Sequence, residues 1–213
     1  MSLIVTRPQH DPTTRYISSW AGEIVSFARA KGVTVIDLVK SKVTRKELEG
    51  RIKKITPRMV FLNGHGSQDA VFGHDNEVLI RVGENDTLLS GKIVYALACD
   101  SGRILGPAIA KDQNTVFIGY KDEFIFMADA RYMNRPVHDP NAKPFMESSN
   151  QVMFSILKGR SAREAFERSK ELFKKYFVVL SSSSADADSL QIVQFLWWDM
   201  RNQVCLGNQS ATL

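Results

Sequence analysis

From residue 3 to residue 120, short runs of branched and aromatic residues alternate with stretches of helical periodicity, and no other feature constrains the fold as tightly. Leu3-Ile4-Val5 reads as a buried strand, broken by Arg7-Pro8 and Asp11-Pro12. Ile17, Trp20, Ile24, Phe27 and Ala28 then recur at three and four, the spacing of one buried helical stripe, with Thr13 or Thr14 as cap and Lys31-Gly32 as stop. Residues 33–39 give a second strand. Thr44 followed by Glu47 is a capping box that opens a helix through Leu48, Ile52 and Ile55, ending before Pro57. Met59-Val60-Phe61-Leu62 is the third strand. Parallel neighbours need a crossover and antiparallel ones do not, so this alternation predicts a parallel sheet with helices on both faces.

Residues 93–98 are almost uniformly apolar, as a central strand covered on both faces must be, and residues 115–120 supply another. Between these strands, residues 70–73 and 77–80 flank His74-Asp75-Asn76 and predict a small hairpin outside the main sheet. A helix is expected to start at Asp100-Ser101-Gly102 and run over Ile104, Leu105 and Ile109. Residues 121–144 carry loop chemistry and fit a mobile functional loop. Helices over 145–158 and 162–177 follow, then a polar break at 181–184, and a last helix opened by Asp186 or Asp188 that carries Leu190, Val193, Leu196, Trp197 and Met200. The expectation is a single α/β domain over residues 1–213, with five or six mainly parallel strands and a helical carboxyl-terminal part.

Composition narrows the classes. With 44% hydrophobic and 24% charged residues, disordered and fibrous architectures drop out. No apolar run is long enough for a membrane helix, and the first residues lack the layout of a secretory signal, so a soluble cytoplasmic protein is expected. The charge of +5 and pI of 9.2 arise from basic residues interspersed with glutamates along 45–58 and 162–175. These read as solvated helix faces, and nucleic acid is not an expected partner. Cys99 and Cys205 are too few for a disulfide framework.

Two apolar runs end abruptly on reactive side chains: Phe61-Leu62-Asn63-Gly64-His65-Gly66-Ser67 and Val94-Tyr95-Ala96-Leu97-Ala98-Cys99-Asp100-Ser101-Gly102. Far apart in sequence, His65 and Cys99 meet only if their strands are neighbours, and the carboxyl ends of parallel strands line one crevice. At a helix amino terminus Cys99 would gain thiolate character. His65 then serves as base and later as acid, and the amides of Gly66 and Cys99 are candidate oxyanion donors. Asp100 either orients His65 or starts the next helix, and the helix is expected. Asp122 and Glu123 follow the strand ending at Tyr120 and suggest an acidic pocket for Arg or Lys; Arg103 or Lys121 would instead favour an acidic residue. His10, His74 and His138 sit in polar loops expected to face solvent, without metal-ligand spacing, so neither metal nor cofactor is expected. Cys205 is expected to be a core or edge thiol, and Trp197-Trp198 to place one indole inward and Trp198 outward. No Gly-rich phosphate loop follows the first strand, which argues against a nucleotide- or flavin-binding domain.

The paired pattern, an apolar run closing on His65-Gly66 and a second closing on Ala98-Cys99, resembles the caspase-like clan of cysteine peptidases (clan CD). That clan includes caspases, legumains, gingipains, clostripain, separases and CHAT domains. The second run is most similar to the CHAT version, in which Ala-Cys is followed by a polar residue, a hydroxyl residue and glycine. Asn63-Gly64 departs from the cysteine or alanine that many CHAT domains carry before His-Gly. The resemblance implies a three-layer α/β/α sandwich and a cysteine endopeptidase acting through a thioester. It implies His65 as general base, Cys99 as nucleophile, and the amides of Gly66 and Cys99 as oxyanion hole. Protein or peptide substrates and a regulatory protein partner go with that reading. The alternative it leaves is a non-catalytic signalling or interaction module of the same fold.

Overall fold

The computed structural model describes residues 1–182 and 187–213, the side chains of 187–189 excepted. β1 (Ser2–Arg7), β2 (Thr34–Val39) and β3 (Met59–Asn63) are joined through α1 (Pro12–Ala30) and α2 (Arg45–Ile55). A hairpin of β4 (Ala70–Phe72) and β5 (Val78–Arg81) stands apart from the main sheet, as its turn chemistry predicts. The chain then lays down β6 (Ile93–Leu97), α3 (Leu105–Ile109), β7 (Val116–Tyr120), α4 (Lys143–Leu157), α5 (Ala162–Ser182), α6 (Ala187–Asn202) and β8 (Gln203–Gly207). The six-stranded sheet has the order β2-β1-β3-β6-β7-β8, parallel except for β8.

Side chains alternate between two apolar layers, so both sheet faces are covered. Leu3, Val5, Phe61 and Tyr95 pack under α1 and α4 with Ile17, Trp20, Ile24 and Met153. Ile4, Val60, Leu62, Val94 and Ala96 pack on the other face with Leu48, Ile52 and Leu105. Phe61 and Tyr95, level in adjacent strands, stack at 4.9 Å between centroids. A third cluster of Phe145, Phe173, Ile192 and Leu196 ties the carboxyl-terminal helices together. No helix among the described residues is long and apolar enough to cross a membrane.

Four expectations are corrected. The helix after Cys99 does not start at Asp100. Asp100 is left-handed (φ 57), and residues 100–104 turn back to bond neighbouring segments, Gly102 N to Tyr120 O at 2.7 Å and Ile104 N to Gln68 O at 3.1 Å. Only the five residues of α3 remain helical. The second correction is β8, which follows α6 without a turn signal and pairs antiparallel with β7. The third is that the 121–142 segment is anchored. Buried Asp139 accepts from Tyr16 Oη (2.9 Å), Asp129 N (2.8 Å) and Asn141 N (2.8 Å), and Trp20 Nε1 donates to Pro136 O. The fourth is that Trp197 is the exposed indole, whereas Trp198 Nε1 donates to Glu123 O. Ser181 and Ser182 continue α5. The rest of the serine break and the side chains of Asp186 and Asp188 lie outside the described residues.

Candidate active site

The strand order reverses at β1, from which the chain proceeds first to β2 on one side and then to β3 on the other. Ligand sites of open α/β sheets lie outside the carboxyl ends of strands at such a switch point. Three segments leave the sheet there, from β1 to Asp11, from β3 to His65 and from β6 to Cys99. Asn63 of β3 is level with Leu97 of β6. His65 and Cys99 each come two residues after that pair, in the segments that leave the ends of these adjacent strands.

The polypeptide between strand end and His65 is fixed by buried polar contacts. Asn63 Nδ2 donates to Thr6 O and Asn63 N to Thr6 Oγ1, both at 2.8 Å, and Thr6 Oγ1 donates to Asn63 O at 3.0 Å. Gly64 has φ 156, and a Cβ there would lie 2.0 Å from Phe72 O. A Cβ on Gly66 would lie 2.2 Å from Cys99 O and 2.8 Å from Cys99 N, so backbone meets backbone between the two motifs. These two positions require glycine. Among the described residues neither the Gly66 nor the Cys99 amide donates a hydrogen bond.

Asp11 is the site residue that sequence reasoning passed over. It caps α1, its carboxylate accepting from Thr14 N at 2.8 Å, and its Oδ2 lies 2.8 Å from His65 Nε2. Burial alone would make the carboxyl a weaker acid, but the Thr14 amide, the His65 bond and the nearby charge of His65 and His10 outweigh that and hold it below the usual aspartate value. With Nε2 engaged, His65 Nδ1 remains without a partner among the described residues. The signal available was Asp before Pro at a helix start, an N-cap pattern. Sequence alone does not reveal that the cap's second oxygen reaches a histidine 54 positions away.

Cys99 is half-buried, and Sγ donates to Phe124 O at 3.9 Å. Its thiol is pushed up, chiefly by burial and further by the carboxylates of Glu123, Asp100 and Asp199, against a smaller opposite effect of the Phe124 bond. This reverses the expectation of a lowered thiol. Without a helix amino terminus at Cys99, its dipole is missing, and the neighbouring charges are negative. Cys205, in β8, is buried and pushed up to about 12.

Beside Cys99 opens a cleft of about 320 Å³, lined by Tyr16, Glu123, Phe124, Ile125 and Phe126 among others. Glu123 thus faces the cleft. Asp122 does not line it, and its Oδ2 is paired with Arg103 Nη2 at 3.0 Å. Arg103 also pairs with Asp100, which neither orients His65 nor starts a helix. Behind the cleft, fully buried Asp199 accepts from Ile125 N at 3.0 Å while its Oδ2 has no partner among the described residues. Burial pushes its carboxyl well above the ordinary value. His10 and His74 are half-buried instead of facing solvent, because the hairpin turn folds His74 back to within 5.4 Å of His10 between ring centroids. His138 is exposed.

Among solved structures, the chain is similar to the Arg-specific cysteine proteinase gingipain R, with a TM-score of 0.62 and 13% identity, covering 100% of this chain and 47% of that one. A complex of the pro- and mature domains of the Porphyromonas gingivalis enzyme matches with a TM-score of 0.56 and 12% identity over 99% of this chain and 47% of the other. The chain therefore spans about half the length of the chains it matches. At these identities the likeness is one of fold, and the fold is the caspase-like α/β architecture. No protein-family model matches the chain, and no curated protein does.

Proposed function

We propose that this chain is a cysteine endopeptidase in which Cys99 is the nucleophile, His65 the acid–base and Asp11 the group that orients His65. The observation carrying this reading is the level register of β3 and β6, from whose ends the segments bearing His65 and Cys99 leave the sheet side by side, with the Gly66 backbone against that of Cys99. The bond from His65 to Asp11 supports it, because a base needs one ring nitrogen held and the other free.

The raised thiol defines how the first step runs. Cys99 holds its proton more tightly than an ordinary thiol, and His65 takes that proton as Sγ attacks the substrate carbonyl carbon. The resulting oxyanion is received by the amides of Gly66 and Cys99, both without another acceptor among the described residues. The imidazolium then gives its proton to the departing amine, leaving a thioester. Water, deprotonated by His65, attacks the thioester carbonyl and releases the acid and the thiol.

Glu123 supports a preference for Arg or Lys before the scissile bond, since it lines the cleft while Asp122 is neutralised by Arg103. A cation seated there also removes one of the charges that hold the thiol up, so a basic substrate eases deprotonation of Cys99. Peptide or protein substrates follow from this reading, and a regulatory protein partner is compatible with it. Fluorogenic peptides differing only at that residue test the preference. Faster cleavage after Arg than after Asp is expected, with Glu123→Gln lowering kcat/KM for the Arg peptide about two- to fivefold, the scale of an exposed ion pair. Faster cleavage after Asp contradicts it.

A further inference from the structure

Three histidines gather at the carboxyl edge of the sheet, although nothing in their sequence spacing announces it. His10 stands between the other two, its ring centroid 5.9 Å from that of His65 and 5.4 Å from that of His74. His65 Nε2 and His10 Nε2 converge on one oxygen, lying 2.8 and 3.1 Å from Asp11 Oδ2. The donor atoms of His10, Asp11 and His65 all fall within 4.8 Å of one another. In a tetrahedral zinc site with bonds near 2.0–2.1 Å, neighbouring donors stand about 3.3 Å apart. The two separations at Asp11 Oδ2, 2.8 and 3.1 Å, are close to that spacing. Two imidazoles and one carboxylate also match the donor preference of Zn²⁺, leaving a fourth position for water.

We infer that His10, Asp11 and His65 form an inhibitory site for Zn²⁺. The ion sits where the three donor atoms converge, and each neutral ring carries its one proton on Nδ1 while Nε2 ligates. No net proton change is required, and Asp11 exchanges its bond to His65 for a bond to the metal. His65 then keeps its proton on the nitrogen that the peptidase reaction needs free, so it no longer accepts one from Cys99. His10 Nδ1 is buried without a partner among the described residues, so the site lacks one of the outer hydrogen bonds that ordinarily raise metal affinity ten- to a hundredfold. That deficit suits a reversibly occupied site over a permanently loaded one. A rival cluster of His10, His74 and Asp75 shares His10 but extends to exposed Asp75. It would leave His65 untouched.

The consequence for activity rests on the peptidase reading, whereas binding does not. ZnCl₂ is titrated into the full chain by calorimetry, with Co²⁺ absorption as a second readout of donor geometry. The expected result is one ion per chain, affinity at least tenfold weaker in His10→Ala, and unchanged affinity in His74→Ala and Cys99→Ala. In a peptide assay, with each variant compared with its own rate in chelator, Zn²⁺ suppresses wild type and His74→Ala reversibly, and higher concentrations are needed for His10→Ala. Loss of binding in His74→Ala, or in Cys99→Ala, overturns the assignment in favour of another ligand set, as does the absence of binding to wild type. A chain that binds zinc as described but cleaves no peptide refutes the peptidase reading and leaves the site standing.

Discussion

Asp11 serves two structural purposes with two oxygens, capping α1 through Thr14 N and holding His65 Nε2. Asparagine caps as well as aspartate, so Asp11→Asn separates them. Its melting temperature is expected to stay close to wild type, while kcat/KM falls about ten- to a hundredfold, less than the roughly 10⁴-fold seen where the orienting carboxylate is buried. An unchanged rate contradicts the orienting role. The raised thiol of Cys99 makes a second prediction: iodoacetamide reacts with Cys99 at a rate that still climbs through pH 9, because the folded value lies above the ordinary 9.0. Cys205, held near 12, stays far slower, and a Cys99 rate already level at pH 7 contradicts this. Cys99 and His65 were legible in the sequence as residues ending apolar runs. The thiol's acidity was not, because it depends on burial, and less on Glu123, both of which come only with the fold.

Elements whose ends carry their own chemistry were readable, and those defined by distant contacts were not. Thr44 does accept from Glu47 N at the start of α2, and the apolar strand runs fall in the sheet as expected. α3 is short because its predicted first turn bonds to Gln68 and Tyr120 instead, and β8 is a strand because β7 offers it an edge. The junction of the β3 and β6 ends is tested by Gly66→Ala, whose methyl meets the Cys99 backbone. A stability loss of about 1–3 kcal/mol in denaturant unfolding is expected. No loss contradicts the close approach. α6 carries Asp199, whose carboxyl burial holds well above the 3.8 of an ordinary aspartate, so the folded protein keeps this proton to higher pH than the unfolded chain does. The stability it contributes is therefore complete below about pH 3.8 and lost as pH rises through the folded value. Asp199→Asn, an isostere of the protonated acid, is expected to stabilise the protein more at pH 8 than at pH 4.5 in paired unfolding curves. Equal effects at both contradict a raised Asp199 carboxyl.

At the scale of the molecule, a sheet whose order reverses at β1 gathers Asp11, His65 and Cys99 at one edge, and the anchored 121–142 segment supplies the cleft wall beside Cys99. The alternation of runs was enough to foresee a parallel sheet covered on both faces, since each parallel pair demands a crossover. It was not enough to foresee that α1 returns its amino terminus to His65, because that contact joins segments of different strands. Turnover by Cys99→Ala against wild type, on a library of short peptides, tests the central claim most directly. A fall of about a thousandfold or more, with the circular dichroism spectrum unchanged, is the predicted result. Equal turnover by the two proteins contradicts it.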